Sequence, residues 1–357
     1  MSCSGDLVRI PWRESMVPDE FKKGYGYNNG GFILRSSDPR FEYLCDRIAR
    51  NSFDGSVPEV QKIPCGKCTE CRLEYSKQWA QRLVCESSLY CENWFITLTY
   101  DEDHLLDCID YTVSPWTHSL DYVASLRKDH FVKWKKDFLE YMRYYYNVIG
   151  IRFYMCGEYG SKNHRPHFHA ILFNCPIPDL KLVKSVNLGG YNYCYYSSEI
   201  LKNTWKRGFV MLGNVSWNSC AYVARYVMKK MQGPDHKLYY ELCDLEGYEP
   251  IQSEYVNMSR RPGIAREYFE NTFRDVYMVD KVILPDGKSC KPCKYFDRLY
   301  DIECPEDLER IKSDRVKRAQ LRTLNLFRGK TSEQKVEIEQ KNHEALERAL
   351  VKLKRDL

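Results

Sequence analysis

Two short segments rich in β-branched and aromatic residues, 151–156 and 167–173, flank the turn-like stretch 157–166 and predict an antiparallel hairpin. The second segment opens with His167-Phe168-His169. On a strand, residues two apart point to the same face, about 7 Å apart along the chain. Both imidazoles therefore face one way and Phe168 the other. That pattern demands a sheet with one face covered by a core and the other carrying polar groups. Further strand patterns fall at 94–100 and 208–215. Helical periodicity runs from Arg72 to about Tyr90, over 121–146, and from Ser219 to about Met231, with Asn218 as N-cap and Gly233-Pro234 as stop. Pro176 and Pro178 open an insertion that ends in a short helix at 199–206. Strands interleaved with helices predict an α+β fold, an antiparallel sheet with flanking helices on one face, of the ferredoxin-like kind.

The chain of 357 residues is 43% hydrophobic and 29% charged, which suits a soluble globular protein. No stretch approaches the roughly 20 apolar residues of a membrane span. The N-terminus lacks an apolar core and a small-residue cleavage site, so no secretory signal is expected. The sixteen cysteines are then expected as thiols, some of them metal ligands, rather than as a disulfide scaffold. A net charge of +5 permits a nucleic-acid partner without requiring one. The 28 tyrosines and seven tryptophans offer rings that stack on unpaired bases, though many must serve the core. No internal repeat or low-complexity tract is present.

Four groups of residues could carry chemistry. His167 and His169 can share one divalent ion, with Glu158 across the hairpin as third ligand; the plainer reading pairs them with backbone or carboxylate. Tyr222 and Tyr226, four apart on a helix, can point into one cleft, with Lys229 and Lys230 on the next turn. Tyr141/Tyr145 and Tyr191/Tyr195 share that spacing, so only the context distinguishes the first pair. Cys65, Cys68 and Cys71 have a spacing that suits Zn²⁺, with Cys85, Cys91 or the Cys290/Cys293 pair to supply a fourth ligand; otherwise they form a cysteine-rich turn capping the Arg72 helix. Arg260 and Arg261, beside Pro262-Gly263, could grip DNA phosphates or simply face water. The basic clusters at 312–318 and 352–355 interleave with acids and read as solvated helix faces.

The order of these elements, a Thr-bearing apolar strand, a histidine strand and a tyrosine helix, resembles the HUH endonuclease family. The strings Cys65-Gly-Lys-Cys-Thr-Glu-Cys71, Phe95-Ile-Thr-Leu-Thr-Tyr100, Gly157-Glu-Tyr-Gly160 and Arg165-Pro-His-Phe-His-Ala-Ile-Leu172 are similar to rolling-circle replication initiators of the microvirus phages, gokushoviruses in particular. Residues 222–230 and 259–263 fit the same resemblance, which covers about residues 60–265. It implies an endonuclease domain at 61–235 with a ferredoxin- or RRM-like palm. Around it lie an irregular extension at 1–60 with one strand at 31–35, an accessory region at 236–305 and a charged helical tail at 306–357. It further implies that Glu158, His167 and His169 hold Mg²⁺ or Mn²⁺, and that Tyr222 and Tyr226 in turn form 5′-phosphotyrosine links to the viral origin, with Lys229 or Lys230 favouring the phenolate. The expected partners are viral DNA and, with no P-loop pattern to power unwinding, a host helicase and single-strand-binding protein, in the cytoplasm of the bacterial host. The competing readings are a relaxase or HUH transposase and a non-catalytic zinc and nucleic-acid binding protein.

Overall fold

The structure is a computed structural model and describes residues 7–11, 27–28, 31–51, 60–66, 68–188, 191–225 and 234–355. The chain divides into one unit of residues 1–272 with 284–288 and another of 273–283 with 289–357.

Where the sequence predicts an irregular extension, the first unit begins with a small antiparallel sheet. Strands β1 (Leu7–Pro11), β2 (Tyr27–Asn28), β3 (Gly31–Arg35) and, after helix α1 (Arg40–Asn51), β4 (Gln61–Lys62) lie in the order β2-β3-β1-β4. Ile10, Phe32 and Leu34 pack with Leu44 and Ile48 of α1 in a separate core. Strand β3 is the one expected at 31–35; the sequence does not reveal its partners, whose alternation counts only once they pair.

Helix α2 (Thr69–Ser87) follows the cysteine turn and leads to β5 (Asn93–Tyr100). A short helix α3 (Glu102–Leu106) then precedes a hairpin of β6 (Ile109–Val113) and β7 (Leu120–Ala124), and α4 spans Lys128–Tyr146. Residues 121–124, predicted as the first turn of that helix, are therefore strand. The Ser114 hydroxyl accepts the N–H groups of Trp116 and Thr117, both at 3.3 Å, and closes the hairpin turn; Val113 and Val123 then bury in the core.

The predicted hairpin forms from β8 (Arg152–Tyr159) and β9 (Pro166–Phe173). An inserted hairpin, β10 (Lys181–Leu188) and β11 (Tyr191–Ser197), precedes α5 (Glu199–Trp205), β12 (Gly208–Asn214) and α6 (Trp217–Arg225). Ser216, not Asn218, caps α6: its hydroxyl accepts the Ser219 N–H at 3.2 Å. The predicted continuation of this helix to Met231 lies outside the described residues. Helix α7 (Pro234–Glu246) and strand β13 (Tyr255–Met258) follow.

Seven strands make the main antiparallel sheet, in the order β10-β11-β12-β5-β9-β8-β13. Its centre, β5-α4-β8-β9-α5-β12 in sequence and β12-β5-β9-β8 in space, is the βαββαβ arrangement of ferredoxin-like folds. Phe131, Trp134 and Phe138 of α4 and Leu201 and Trp205 of α5 cover one face, against Ile96, Leu98, Tyr100 and Phe168. Helices on that face alone are what the sequence predicts. Yet α2 and α6, packed on each other, cover part of the opposite face, with Trp79 of α2 5.0 Å from the Tyr154 ring. The physical reason is that Tyr154, Ile171 and Phe173 are also apolar on this second face and need burial.

The second unit contains the part of α8 (Arg266–Val279) from Phe273 onward, the paired β14 (Val282–Ile283) and β15 (Ser289–Cys290), and the helices α9 (Lys294–Glu303), α10 (Pro305–Phe327) and α11 (Ser332–Arg355). The helical tail agrees with the sequence. Within the unit, Tyr277 stacks on Tyr300 at 3.8 Å, and Arg315 binds Asp280 and Asp297.

One glycine joins the main sheet to the turn after α5. Gly208 has φ +136°, and a Cβ there would lie 2.3 Å from Asp101 N and 2.5 Å from Thr99 O, both backbone atoms. Gly208→Ala should therefore lower stability by about 3 kcal/mol or more. Urea denaturation checks this, and an unchanged midpoint would contradict the tight packing of β12 on the end of β5.

Candidate active site

Strand register builds the site. On β9, His169 lies opposite Thr97 of β5 and Cys156 of β8, while His167 lies opposite Thr99 and Glu158. Directly paired residues share a face, so these side chains all stand on the face away from α4 and α5. Strand β8 runs three residues past the predicted end, and Glu158 thus sits inside the sheet rather than in the turn. One strand further out, Phe209 and Met211 of β12 oppose Thr99 and Thr97.

Three acceptor atoms converge. Glu158 Oε1 is 2.6 Å from His167 Nε2 and 3.0 Å from His169 Nε2, and the ligand atoms all lie within 4.8 Å of one another. Glu158 is 2% exposed and His169 6%. Outer contacts orient the rings: His167 Nδ1 donates to the Arg165 carbonyl at 3.0 Å, and His169 Nδ1 shares a hydrogen bond of 2.9 Å with Thr97 Oγ1. With Nδ1–H committed to a carbonyl, His167 turns Nε2 to the carboxylate, as an N–H donor when the ring is protonated and as a lone pair free for a cation when it is neutral. Burial pushes the Glu158 carboxyl up, but hydrogen bonds from His167 and His169 outweigh it and hold the pKa at about 2. A carboxylate and two imidazole nitrogens so placed need a proton or a cation between them. The oxygen–nitrogen donor set suits Mg²⁺ or Mn²⁺.

Helix α6 brings Tyr222 to this cluster, with its hydroxyl 3.3 Å from His169 Nε2. Phe95 fixes the approach: it stacks on His169 at 5.4 Å and meets the Tyr222 ring edge-on at 5.9 Å. The Arg225 guanidinium carbon lies 5.9 Å from the centre of the Tyr222 ring. Tyr226, Lys229 and Lys230 lie outside the described residues. Arg260 and Arg261 are exposed on a turn anchored at the other end of β8, where Arg152 Nη2 donates to the Pro262 carbonyl at 2.7 Å. Six strand residues separate Arg152 from Glu158, about 20 Å, so these arginines do not join the cluster. Cys65, Cys68 and Cys71 form a cluster of their own.

A family model for replication-associated proteins of the ORF2 type matches residues 93–231. Replication-associated protein ORF2 of Spiroplasma virus 4 is 31% identical over 290 residues, covering 78% of this chain and 80% of that protein. The chain belongs to the replication-associated protein family. Replication-associated protein VP4 of Bdellovibrio phage phiMH2K is 30% identical, covering 79% of this chain and 76% of that protein. No solved structure matches. The resemblance to microvirus replication proteins is thus borne out. The part matched by the family model runs from β5 through α6 and holds every strand and helix that builds the cluster.

Several residues of the site escape a motif search. Thr97 is visible only through its pairing with His169. Phe209 is 69% exposed, a large apolar ring on the same sheet face as His167. Arg225 stands three residues after Tyr222, one helical turn away, and that spacing could have found it.

The donor set predicts a single divalent-ion site on this face. Mn²⁺ affinity, followed by calorimetry, should fall at least about tenfold in Glu158→Ala and in His169→Ala, and should weaken toward acid pH as protons compete for the ligands. Equal affinity in the wild type and Glu158→Ala would remove these residues from consideration as ligands.

Proposed function

We propose that this protein nicks the viral replication origin through Tyr222, remains attached by a 5′-phosphotyrosine bond, and rejoins the strand during rolling-circle replication. One observation carries the reading: a phenol hydroxyl sits 3.3 Å from an imidazole of the Glu158/His167/His169 cluster. A nucleophile and a phosphate-polarising site must lie this close if one phosphate is to touch both. Membership of the replication-associated family supports the biological setting, the copying of phage DNA in the cytoplasm of the bacterial host. No helix among the described residues is long and apolar enough to cross a membrane.

Glu158, His167 and His169 would hold Mg²⁺ or Mn²⁺, which supplies Lewis-acid polarisation of the scissile phosphate. Thr97 and the Arg165 carbonyl keep the two imidazoles turned toward the carboxylate. Phe95 and His169 position the Tyr222 ring, and Arg225 adds positive charge beside it. An ordinary tyrosine, with pKa near ~10, is a weak nucleophile at neutral pH, and a nearby cation favours its phenolate. In the cut, the Tyr222 Oη–P bond forms and the P–O3′ bond breaks; the phenol proton leaves to solvent and the DNA 3′-oxygen gains one. The phosphodiester energy stays in the tyrosyl link, so the 3′-hydroxyl can attack it and reseal without ATP. Tyr226, at i+4 from Tyr222, would serve the alternate cut that releases a circle. A host helicase and single-strand-binding protein would supply the unwinding.

Single-stranded DNA fits the open part of this sheet face. Phe209 stands two strands from His167, about 10 Å away, and offers a ring on which a base beside the scissile phosphate can stack.

The decisive assay mixes the protein with single-stranded origin oligonucleotide and Mn²⁺ and resolves covalent adducts on a denaturing gel. Wild type should give an adduct, His167→Ala and His169→Ala none, and Tyr222→Phe with Tyr226→Phe none. An adduct retained in the double tyrosine variant would refute the assignment. A mobility shift on a native gel with no adduct at all would favour the non-catalytic binding protein, and cleavage confined to a transfer origin or element end would favour a relaxase or transposase.

Phe209→Ala should weaken oligonucleotide binding about 5- to 100-fold, measured by fluorescence anisotropy in the Tyr222→Phe background. Unchanged binding would exclude Phe209 from the DNA path.

A further inference from the structure

The geometry points to a second metal site in this chain, a structural Zn²⁺ held by Cys65, Cys68 and Cys71 at the N-terminus of α2. The three sulfurs lie within 4.8 Å of one another, within a small side-chain adjustment of the about 3.8 Å that separates sulfurs around one tetrahedral ion at a zinc–sulfur distance of about 2.3 Å. The turn between them is built for this approach. Gly66 takes φ +73°, a left-handed conformation that other residues rarely adopt, and it folds the chain so that the Cys68 N–H donates to Cys65 Sγ at 3.2 Å. Cys68 then occupies the N-cap of α2 in an extended conformation, and its side chain makes no capping hydrogen bond. A cap position is where Ser, Thr, Asp or Asn would serve the helix, so the sequence places a sulfur where capping alone calls for oxygen. Cys71 follows in the first turn, where the helix dipole favours negative charge and hence thiolate.

The donor set is soft and sulfur-only, unlike the oxygen–nitrogen set of Glu158, His167 and His169, and it selects zinc over Mg²⁺ or Mn²⁺. Binding displaces the thiol protons to solvent. Among the described residues no fourth His, Cys, Asp or Glu joins the three. Cys85 lies fourteen residues further along the same helix than Cys71, about 21 Å away. Water can take the fourth position.

The site has a consequence for the catalytic face. Trp79 of α2 packs on Tyr154, and Glu86 pairs with Arg152, so α2 runs antiparallel to β8. Its cysteine end points toward the Glu158 end of that strand. The same helix packs on α6, which carries Tyr222. An ion fixing the first turn of α2 therefore steadies the support on which the tyrosine helix rests.

The test is elemental analysis of the full chain purified without chelator. About one zinc per chain is expected in the wild type and in the His167→Ala/His169→Ala double variant, falling below about a tenth of an equivalent in Cys65→Ser, Cys68→Ser or Cys71→Ser. Cobalt replacing the zinc should show thiolate-to-metal charge transfer that persists in the histidine double variant. Should the serine variants fail to fold, a mercurial titration of the native wild type reads the same site. Zinc released as thiols are modified supports the proposal, and absence of release overturns it. Wild type free of zinc, or zinc unchanged in soluble cysteine variants, also overturns it, whatever the nicking assay returns.

Discussion

The register of β9 between β5 and β8 is the constraint on which the rest depends. Because side chains alternate with a period of two, that register places His167, His169, Glu158, Thr97 and Thr99 on one face and Phe168 with Ala170 in the core under α4. A slip of one residue would drive both imidazoles and the carboxylate into the apolar layer and expose Phe168. Burying such polar groups without partners costs several kcal/mol, so the apolar core of one face fixes the chemistry of the other.

The second face divides into a covered and an open part. Toward Arg152, the rings of Tyr154 and Phe173 are closed in, and Arg152 reaches both Glu86 on α2 and the Pro262 carbonyl. At the other end Tyr222 meets the cluster, where Glu158 and His169 are buried and His167 and Thr99 only partly so. Phe209 stays exposed beyond it. A substrate strand needs such a division: rigid support beneath the reacting groups and free access beside them. The cysteine turn, at the end of α2 nearer the open part, belongs to the support.

In the function proposed above, a tyrosyl phosphodiester would hold the DNA end while the strand is copied, because the bond broken in the DNA is exchanged for another of similar energy. The βαββαβ core supplies the geometry cheaply. Its two crossover helices occupy one face and leave the other for the site, while α2 and α6 are additions that partly close it.

The sequence alone determined the β8–β9 hairpin, the shared face of His167 and His169, the α+β class and the cysteine spacing. These are local: strand alternation and short-range spacing are set by covalent geometry and need no distant partner. It misplaced residues 121–124 because a strand of five residues takes its identity from pairing with β6, and it missed the N-terminal sheet for the same reason. Only the tertiary structure decided that Thr97 orients His169, that Glu158 lies within the sheet, that α2 and α6 cover the second face, and that Tyr222 rather than any other tyrosine described reaches the cluster. The Thr97–His169 and Tyr222–His169 contacts join residues 72 and 53 positions apart, and chain distance of that size carries no periodic signal. They follow from packing two apolar faces at once, a condition that no single segment can express.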